Sequence, residues 1–149
     1  MRKLGVLLAF IMCVGVVAVV ASPAQAATKH IHAFAPYSKS TDVHNDQDPA
    51  GTSVGDSHAG NFKMFNHGKK VGHFDYSCVT TSVSPARETC QATARFTGRG
   101  KIMVAGTDDA NGGDLHVAIT GGTADFNGAR GNATLRFRRH GAHFRFNLK

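Results

Sequence analysis

The run Gly121-Gly122-Thr123-Ala124-Asp125-Phe126-Asn127-Gly128-Ala129-Arg130-Gly131 sets four glycines between two segments that each alternate apolar and polar residues. Glycine concentrates where a backbone takes positive φ or approaches another backbone closely. On the N-terminal side Leu115, Val117 and Ile119 interleave with His116, Ala118 and Thr120; on the C-terminal side Leu135 and Phe137 interleave with Thr134, Arg136 and Arg138. A period of two on both sides marks half-buried antiparallel strands, so the run is a sharp corner between them. A phosphate cradle does not fit. Such loops lead their glycines into a helix N-terminus with a Lys-Ser/Thr pair or GxGxxG spacing, whereas strand pattern follows here and Arg130 is the one cation of the run.

The same alternation, or a short apolar run, recurs near Ile31 to Tyr37, Phe62 to Phe65, Val71 to Val79, Thr89 to Phe96, Lys101 to Ala105, Ala133 to Arg138 and His143 to Leu148. Turn chemistry separates these segments: Asn66-His67-Gly68, Thr97-Gly98-Arg99-Gly100, Asp108 to Gly113 and Arg139-His140-Gly141. No window after the N-terminal stretch keeps a helical period. Evenly spaced short strands in a chain with 17 glycines predict a single all-β domain, sandwich or barrel. Closure removes exposed sheet edges and favours the barrel. The stretch from Ser38 to Gly60 is long and polar, carrying Asp42, His44, Asn45, Asp46, Asp48, Asp56 and His58. It reads as a solvated loop, with a functional loop over a barrel mouth as the alternative. Its Asp46-Gln47-Asp48 run lacks the glycine and bidentate Glu of an EF-hand.

The ends and the cysteines set the compartment. Met1-Arg2-Lys3, an apolar stretch from Leu4 to Val20 and the small residues around Pro23 and Ala24-Gln25-Ala26 form a secretory signal peptide over residues 1–26, leaving 27–149 as the exported domain. The apolar stretch is nearly long enough to span a bilayer, so an uncleaved anchor is the alternative. Cys13 leaves with the signal peptide, and Cys78 and Cys90 remain as an even pair in an oxidising compartment. They are read as a disulfide closing a hairpin. Two lone cysteines without CxxC spacing do not make a structural zinc site.

Several blocks carry a resemblance to a known superfamily. The order Ala118-Ile119-Thr120-Gly121-Gly122-Thr123, then Phe126, then Gly128-Ala129-Arg130-Gly131 is preceded by Gly55-Asp56-Ser57, by Gly68-Lys69-Lys70-Val71-Gly72 leading to Ser77-Cys78, by Cys90-Gln91-Ala92-Thr93 and by Gly100 to Val104. In that order they resemble the dirigent and allene oxide cyclase superfamily from about Ala33 to Phe137. Ala124 departs from it, since the turn of such proteins commonly carries another glycine there. The resemblance implies an eight-stranded antiparallel β-barrel of the calycin type. It also implies a hydrophobic small molecule as partner, a separate oxidase in the dirigent case, and a homo-oligomer. Any turnover it implies is isomerase- or cyclase-like, or stereo-directing. Both branches hold a reactive intermediate in one geometry, which asks for orientation and water exclusion rather than a strong nucleophile.

The residues are consistent with that chemistry. Serines and histidines are plentiful, but none sits in a G-x-S-x-G elbow. Glu88 is the one glutamate, so no glycosidase-type carboxylate pair can be picked out. Ten phenylalanines and no tryptophan suffice to fill a small barrel or to line a cavity in one. Matched to the family blocks, Asp56 is placed at the barrel mouth as an acceptor of protons or hydrogen bonds, and Arg130 as the group that orients an oxygenated ligand. Asp75, on a strand with Phe74 and Tyr76, is added from the residues alone. The chain carries a net charge of +7, much of it C-terminal. Arg136, Arg138 and Arg145 with His143 share one strand face, an alternative binding surface for polyanions. His30 with His32, and His140 with His143, pair imidazoles on strand faces. No third ligand follows by spacing, so the sequence assigns no metal centre and no cofactor.

Overall fold

The structure, a computed structural model, describes residues 29–109 and 113–149. The expected signal peptide lies outside the described residues. Nine strands run in chain order: β1 Lys29–Pro36, β2 Ser40–Asn45, β3 Ser57–Asn66, β4 Lys69–Val83, β5 Ala86–Phe96, β6 Gly100–Asp109, β7 Asp114–Gly122, β8 Gly131–Arg138 and β9 Gly141–Leu148. Each pairs antiparallel with its sequence neighbour from β2 to β9, and β1 returns to lie beside β9. One further pairing, Phe34 of β1 opposite Phe65 of β3, closes the sheet. β1 and β2 share one stave against β3, interrupted by a single 3-10 turn at Tyr37–Lys39. Nine strands therefore make the closed eight-stranded barrel that the sequence predicts.

The period-two pattern is what turns side chains alternately in and out of the barrel. On β7 the residues Leu115, Val117 and Ile119 are buried while His116, Ala118 and Thr120 are exposed. On β9 Phe144, Phe146 and Leu148 point inward, and His143 and Arg145 point out. Irregular registers at Met64/Phe65, Thr80/Ser82 and Met103/Val104 supply the local bends that a closed sheet needs. The hairpin between β4 and β5 is tighter than the sequence suggests. Both strands continue past the cysteines and turn between Val83 and Ala86.

The polar stretch expected as a solvated loop is loop in its middle, residues 46–56, and strand on both sides of it. β2 and the first part of β3 pair from Ser40 opposite Phe62 to Asn45 opposite Ser57. The strand signal is hidden because the lumen-facing residues here are Asp42, His44 and His58 instead of hydrocarbons. Only the segment between β2 and β3 is loop. It is folded around the Asp56 carboxylate and tied to β4 by Gly55 N–H to Thr80 O and Thr80 N–H to Asp56 O, at 2.9 and 2.8 Å.

One end of the lumen is packed solid. The glycine-dense corner folds a 3-10 turn, Ala124–Phe126, under the barrel and drives the buried Phe126 into it. Its ring meets Phe96 at 5.3 Å, and Phe96 meets Phe146 edge-on at 5.8 Å. Gly122 permits this approach: a Cβ there would lie 2.2 Å from the Phe126 carbonyl oxygen. Burying a phenylalanine of this kind stabilises a fold by roughly 1.5–3 kcal/mol. Ala124 adopts φ of +53°, where its Cβ crowds the following carbonyl, and glycine relieves that. Because the Ala124 methyl is exposed, Ala124→Gly is expected to stabilise the protein by about 0.5–1 kcal/mol, after the larger unfolded-state entropy of glycine is set against the relief. Denaturant unfolding checks this, and a lower midpoint would contradict it.

Candidate functional site

At the opposite end the barrel is not filled. A cavity of about 300 Å³ opens there, walled by Val104, Leu115, Val117 and Leu135 and floored by Phe62 and Phe74. The Cys78–Cys90 disulfide forms part of the wall and joins directly opposed residues of β4 and β5. Phe137 sits at the lip, 40% exposed. Inward positions on four adjoining strands bring five polar side chains to this mouth: Asp42 and His44 from β2, His58 from β3, Tyr76 from β4 and Glu88 from β5.

The strand register fixes how they meet. His44 lies opposite His58 and Asp42 opposite Gly60, while Gly60 also lies opposite Tyr76. A Cβ on Gly60 would stand 2.6 Å from the Tyr76 hydroxyl, so the glycine leaves room for that ring to cross the strand. Tyr76 then donates its hydroxyl to Asp42 Oδ1 at 2.8 Å, and its ring stacks on Phe62 at 5.3 Å. Asp42 Oδ2 is 2.9 Å from His44 Nε2. His58 Nε2 is 3.1 Å from Glu88 Oε2. A carboxylate only accepts, so Nε2 carries the proton in this pair and Nδ1 of a neutral His58 presents a lone pair. That Nδ1 is buried and makes no hydrogen bond. It faces Asp42 Oδ1 at 3.9 Å, too far for a bond.

Burial, the larger cause, and the Asp42 hydrogen bond and charge hold the Tyr76 hydroxyl well above the ordinary phenol value of 10.0. Ionising it would place a second negative charge beside Asp42 in a half-desolvated site. The mouth thus combines a phenol that stays protonated, an imidazole backed by a carboxylate, and a greasy chamber beneath them.

The residues singled out in the sequence lie elsewhere. Asp56 accepts from the backbone N–H groups of Ser53 and Gln47, at 2.7 and 2.8 Å, and from the Ser53 hydroxyl at 2.8 Å. These bonds, that of the Ser53 backbone first, hold its carboxyl below the ordinary aspartate value. Asp75 faces outward, with Arg95 Nε at 2.6 Å and the Asn61 amide on its other oxygen. Arg130, at the packed end, donates to the carbonyls of Ala129 and Thr120 at 2.8 and 3.4 Å. None of the three lines the cavity. Arg136, Arg138 and Arg145 do share the outer face. There Arg136 and Arg138 both engage Asp114, at 2.7 and 3.1 Å, and Arg145 donates to Asn147 at 3.0 Å.

No protein-family profile matches the chain, and no curated protein matches it significantly by sequence. Solved structures do. A pyocyanin demethylase superposes with a TM-score of 0.73 at 20% identity, covering 81% of this chain and 100% of that one. A pterocarpan synthase dirigent protein gives 0.62 at 18% identity over 81% and 87% of the two chains. A Diels-Alderase from Streptomyces koyangensis gives 0.64 at 11%, over 82% and 63%. The resemblance read from the sequence blocks therefore holds at the level of the fold, the barrel shared by dirigent and cyclase-like proteins.

The state of Tyr76 is directly measurable, since the chain has two tyrosines. In a Tyr37→Phe variant, phenolate absorbance is expected to rise only well above pH 10.0. Adding Asp42→Asn lowers that midpoint without restoring the ordinary value, because burial is the larger cause. The folded protein holds this proton more tightly than the unfolded chain. The stability it contributes is therefore complete below pH 10 and is lost as the pH climbs through the folded value. A midpoint at the ordinary phenol value would contradict the burial and the Asp42 contact.

Proposed function

We propose that the protein is an exported small-molecule-orienting barrel that takes one hydrophobic, oxygen-bearing molecule into its lumen and holds the oxygen at the polar mouth. The observation that carries this reading is the asymmetry of the lumen. Phenyl rings fill one half, and the other half is an apolar chamber of about 300 Å³ with polar groups at a single end. That volume is at the small end of ligand pockets and suits one compact molecule. Its apolar body gains from leaving water. Its hydroxyl gains a partner in His58 Nδ1, the buried acceptor that lacks one, while the Tyr76 oxygen accepts a second donor.

Orientation of this kind needs no nucleophile. Where the molecule's hydroxyl or an acidic C–H must lose a proton, His58 is placed to accept it and Glu88 to stabilise the resulting imidazolium. This supports an isomerase- or cyclase-like step on a bound intermediate. In the dirigent version of the same geometry, a separate oxidase makes the radical and the barrel sets the face of coupling. Delivery outside the cell rests on the basic, apolar and Ala-x-Ala order of the N-terminus. The outer arginines give the polyanion alternative less support, because Asp114 engages two of the three.

A hydroxyphenazine and a hydroxylated pterocarpan are suitable probes, since solved barrels of this fold act on such ring systems and each probe carries the hydroxyl that His58 Nδ1 would accept. A ligand at about a hundredfold excess over its Kd stabilises the folded state by about 2.7 kcal/mol, which raises Tm measurably. Ala92 lines the chamber and is only half-buried. Ala92→Phe is expected to fill the chamber and abolish that rise while leaving the unliganded Tm nearly unchanged. A wild-type Tm that neither probe moves, or a rise that survives Ala92→Phe, would count against the lumen as the binding site.

A further inference from the structure

We propose that Asp42, His44 and His58 form a site for one divalent transition-metal ion at the barrel mouth, with Zn²⁺ the ion to test first. The proposal needs no organic ligand in the lumen and is tested with the metal alone.

Two imidazoles and a carboxylate lie on one face of two paired strands, His44 opposite His58 and Asp42 two residues along from His44. One ligand atom from each falls within 4.8 Å of the others. Backbone register brings the three side chains to one face of the sheet. His58 is already set for ligation. Its Nε2–H is taken by Glu88 at 3.1 Å, so the tautomer and ring plane are fixed and the Nδ1 lone pair is left over. This is the carboxylate–histidine arrangement that supports metal-bound imidazoles, with Glu88 as the positioning residue.

The unbonded gap points to the same place. Nδ1 of His58 and Oδ1 of Asp42 face each other at 3.9 Å with no hydrogen bond between them. Zinc binds nitrogen and carboxylate oxygen at about 2.0–2.2 Å each in a tetrahedral array, which sets two ligand atoms about 3.4 Å apart, so the pair closes by about half an ångström around the ion. It supplies the positive charge that two facing lone pairs lack. The Tyr76 hydroxyl on Asp42 holds that carboxylate in place, as an outer-shell donor does. His44 stacks parallel to His58 at 5.3 Å and must turn toward the ion to bind it. Its side chain is 73% exposed and has the freedom to do so.

Two nitrogens and one carboxylate suit zinc and the neighbouring transition ions rather than calcium or magnesium, which take oxygen sets. Three protein ligands leave at least one coordination position open, and all three residues line the cavity mouth. The ion would replace a ligand hydroxyl as the partner of Nδ1 and meet the ligand's oxygen itself. The disulfide keeps Cys78 out of the set: its sulfur lies near His58 and Glu88 but is bonded to Cys90. The histidine pairs noted in the sequence, His30 with His32 and His140 with His143, join no group of three such ligands among the described residues.

Zn²⁺ titration by calorimetry, with competition against a chromophoric chelator, is expected to show one tight site per chain. His44→Ala and Asp42→Asn each weaken it at least tenfold, and Glu88→Gln weakens it about tenfold through His58. His44 is exposed, so its variant keeps the wild-type Tm without metal and tests the site independently of folding. Bound Co²⁺ gives visible d–d bands that His44→Ala removes. A His30→Ala, His32→Ala double variant binds as the wild type does. Zn²⁺ binding no tighter than that of scattered surface histidines, or binding that His44→Ala and Asp42→Asn leave intact, overturns the proposal. Ala92→Phe separates the two readings, because it blocks the lumen without replacing any of the three ligands or Glu88. Zinc bound by that variant upholds the site even where every aromatic probe fails.

Discussion

Closure of the sheet, where Phe34 of β1 meets Phe65 of β3, decides what every inward side chain can be. An open sheet of this size would bury one face against another layer and leave two edges to protect. Closing it turns that face into a lumen whose width is set by the strand count. Phenylalanines at Phe74, Phe96, Phe126, Phe144 and Phe146 can fill only so much of that volume. The order in which large and small residues follow one another along the staves then determines where packing ends and space begins.

The large residues gather at the end sealed by the Phe126 turn. Toward the other end the inward positions of β5 and β6 shrink from Phe96 and Ile102 to Ala92, Val104 and Gly106, and the mouth gathers the polar Asp42, His44, His58 and Glu88. This gradient is the site. A polar group placed midway down the barrel would be desolvated without enough partners. At the mouth each has one, and Glu88 with His58 and Tyr76 with Asp42 are two pairs that burial strengthens. Nδ1 of His58, the one buried side-chain polar atom without a hydrogen-bond partner among the described residues, is where the ligand hydroxyl and the metal ion would each bind.

Much of the fold was legible because it rests on period two. Leu115, Val117 and Ile119, or Phe144, Phe146 and Leu148, state which face is inside, and the glycines from Gly121 to Gly131 announce the corner. The Cys78–Cys90 bridge was legible from two cysteines at the facing ends of strand-like segments. The site was less so, for a physical reason: strand recognition depends on alternating hydrocarbon, and β2 turns Asp42 and His44 inward where hydrocarbon is expected. Those residues were visible as polar oddities in the Ser38 to Gly60 stretch, but not as a strand. Asp56 and Arg130 drew notice through their glycine-rich blocks. In the barrel one gathers a loop and the other caps carbonyls at the packed end. The signal that would have found the mouth is the alternation of Asp42 with His44, and of His58 with Gly60 and Phe62.

One half of the lumen is empty, apolar and open to a ligand, while the other half is solid. Xenon enters such chambers and not filled ones. A crystal of the protein pressurised with xenon is predicted to show an ordered xenon atom among Leu115, Val117, Leu135 and Phe74, and none beside Phe126. A lumen without xenon, with Phe62 or Phe137 folded into the chamber, would contradict the account.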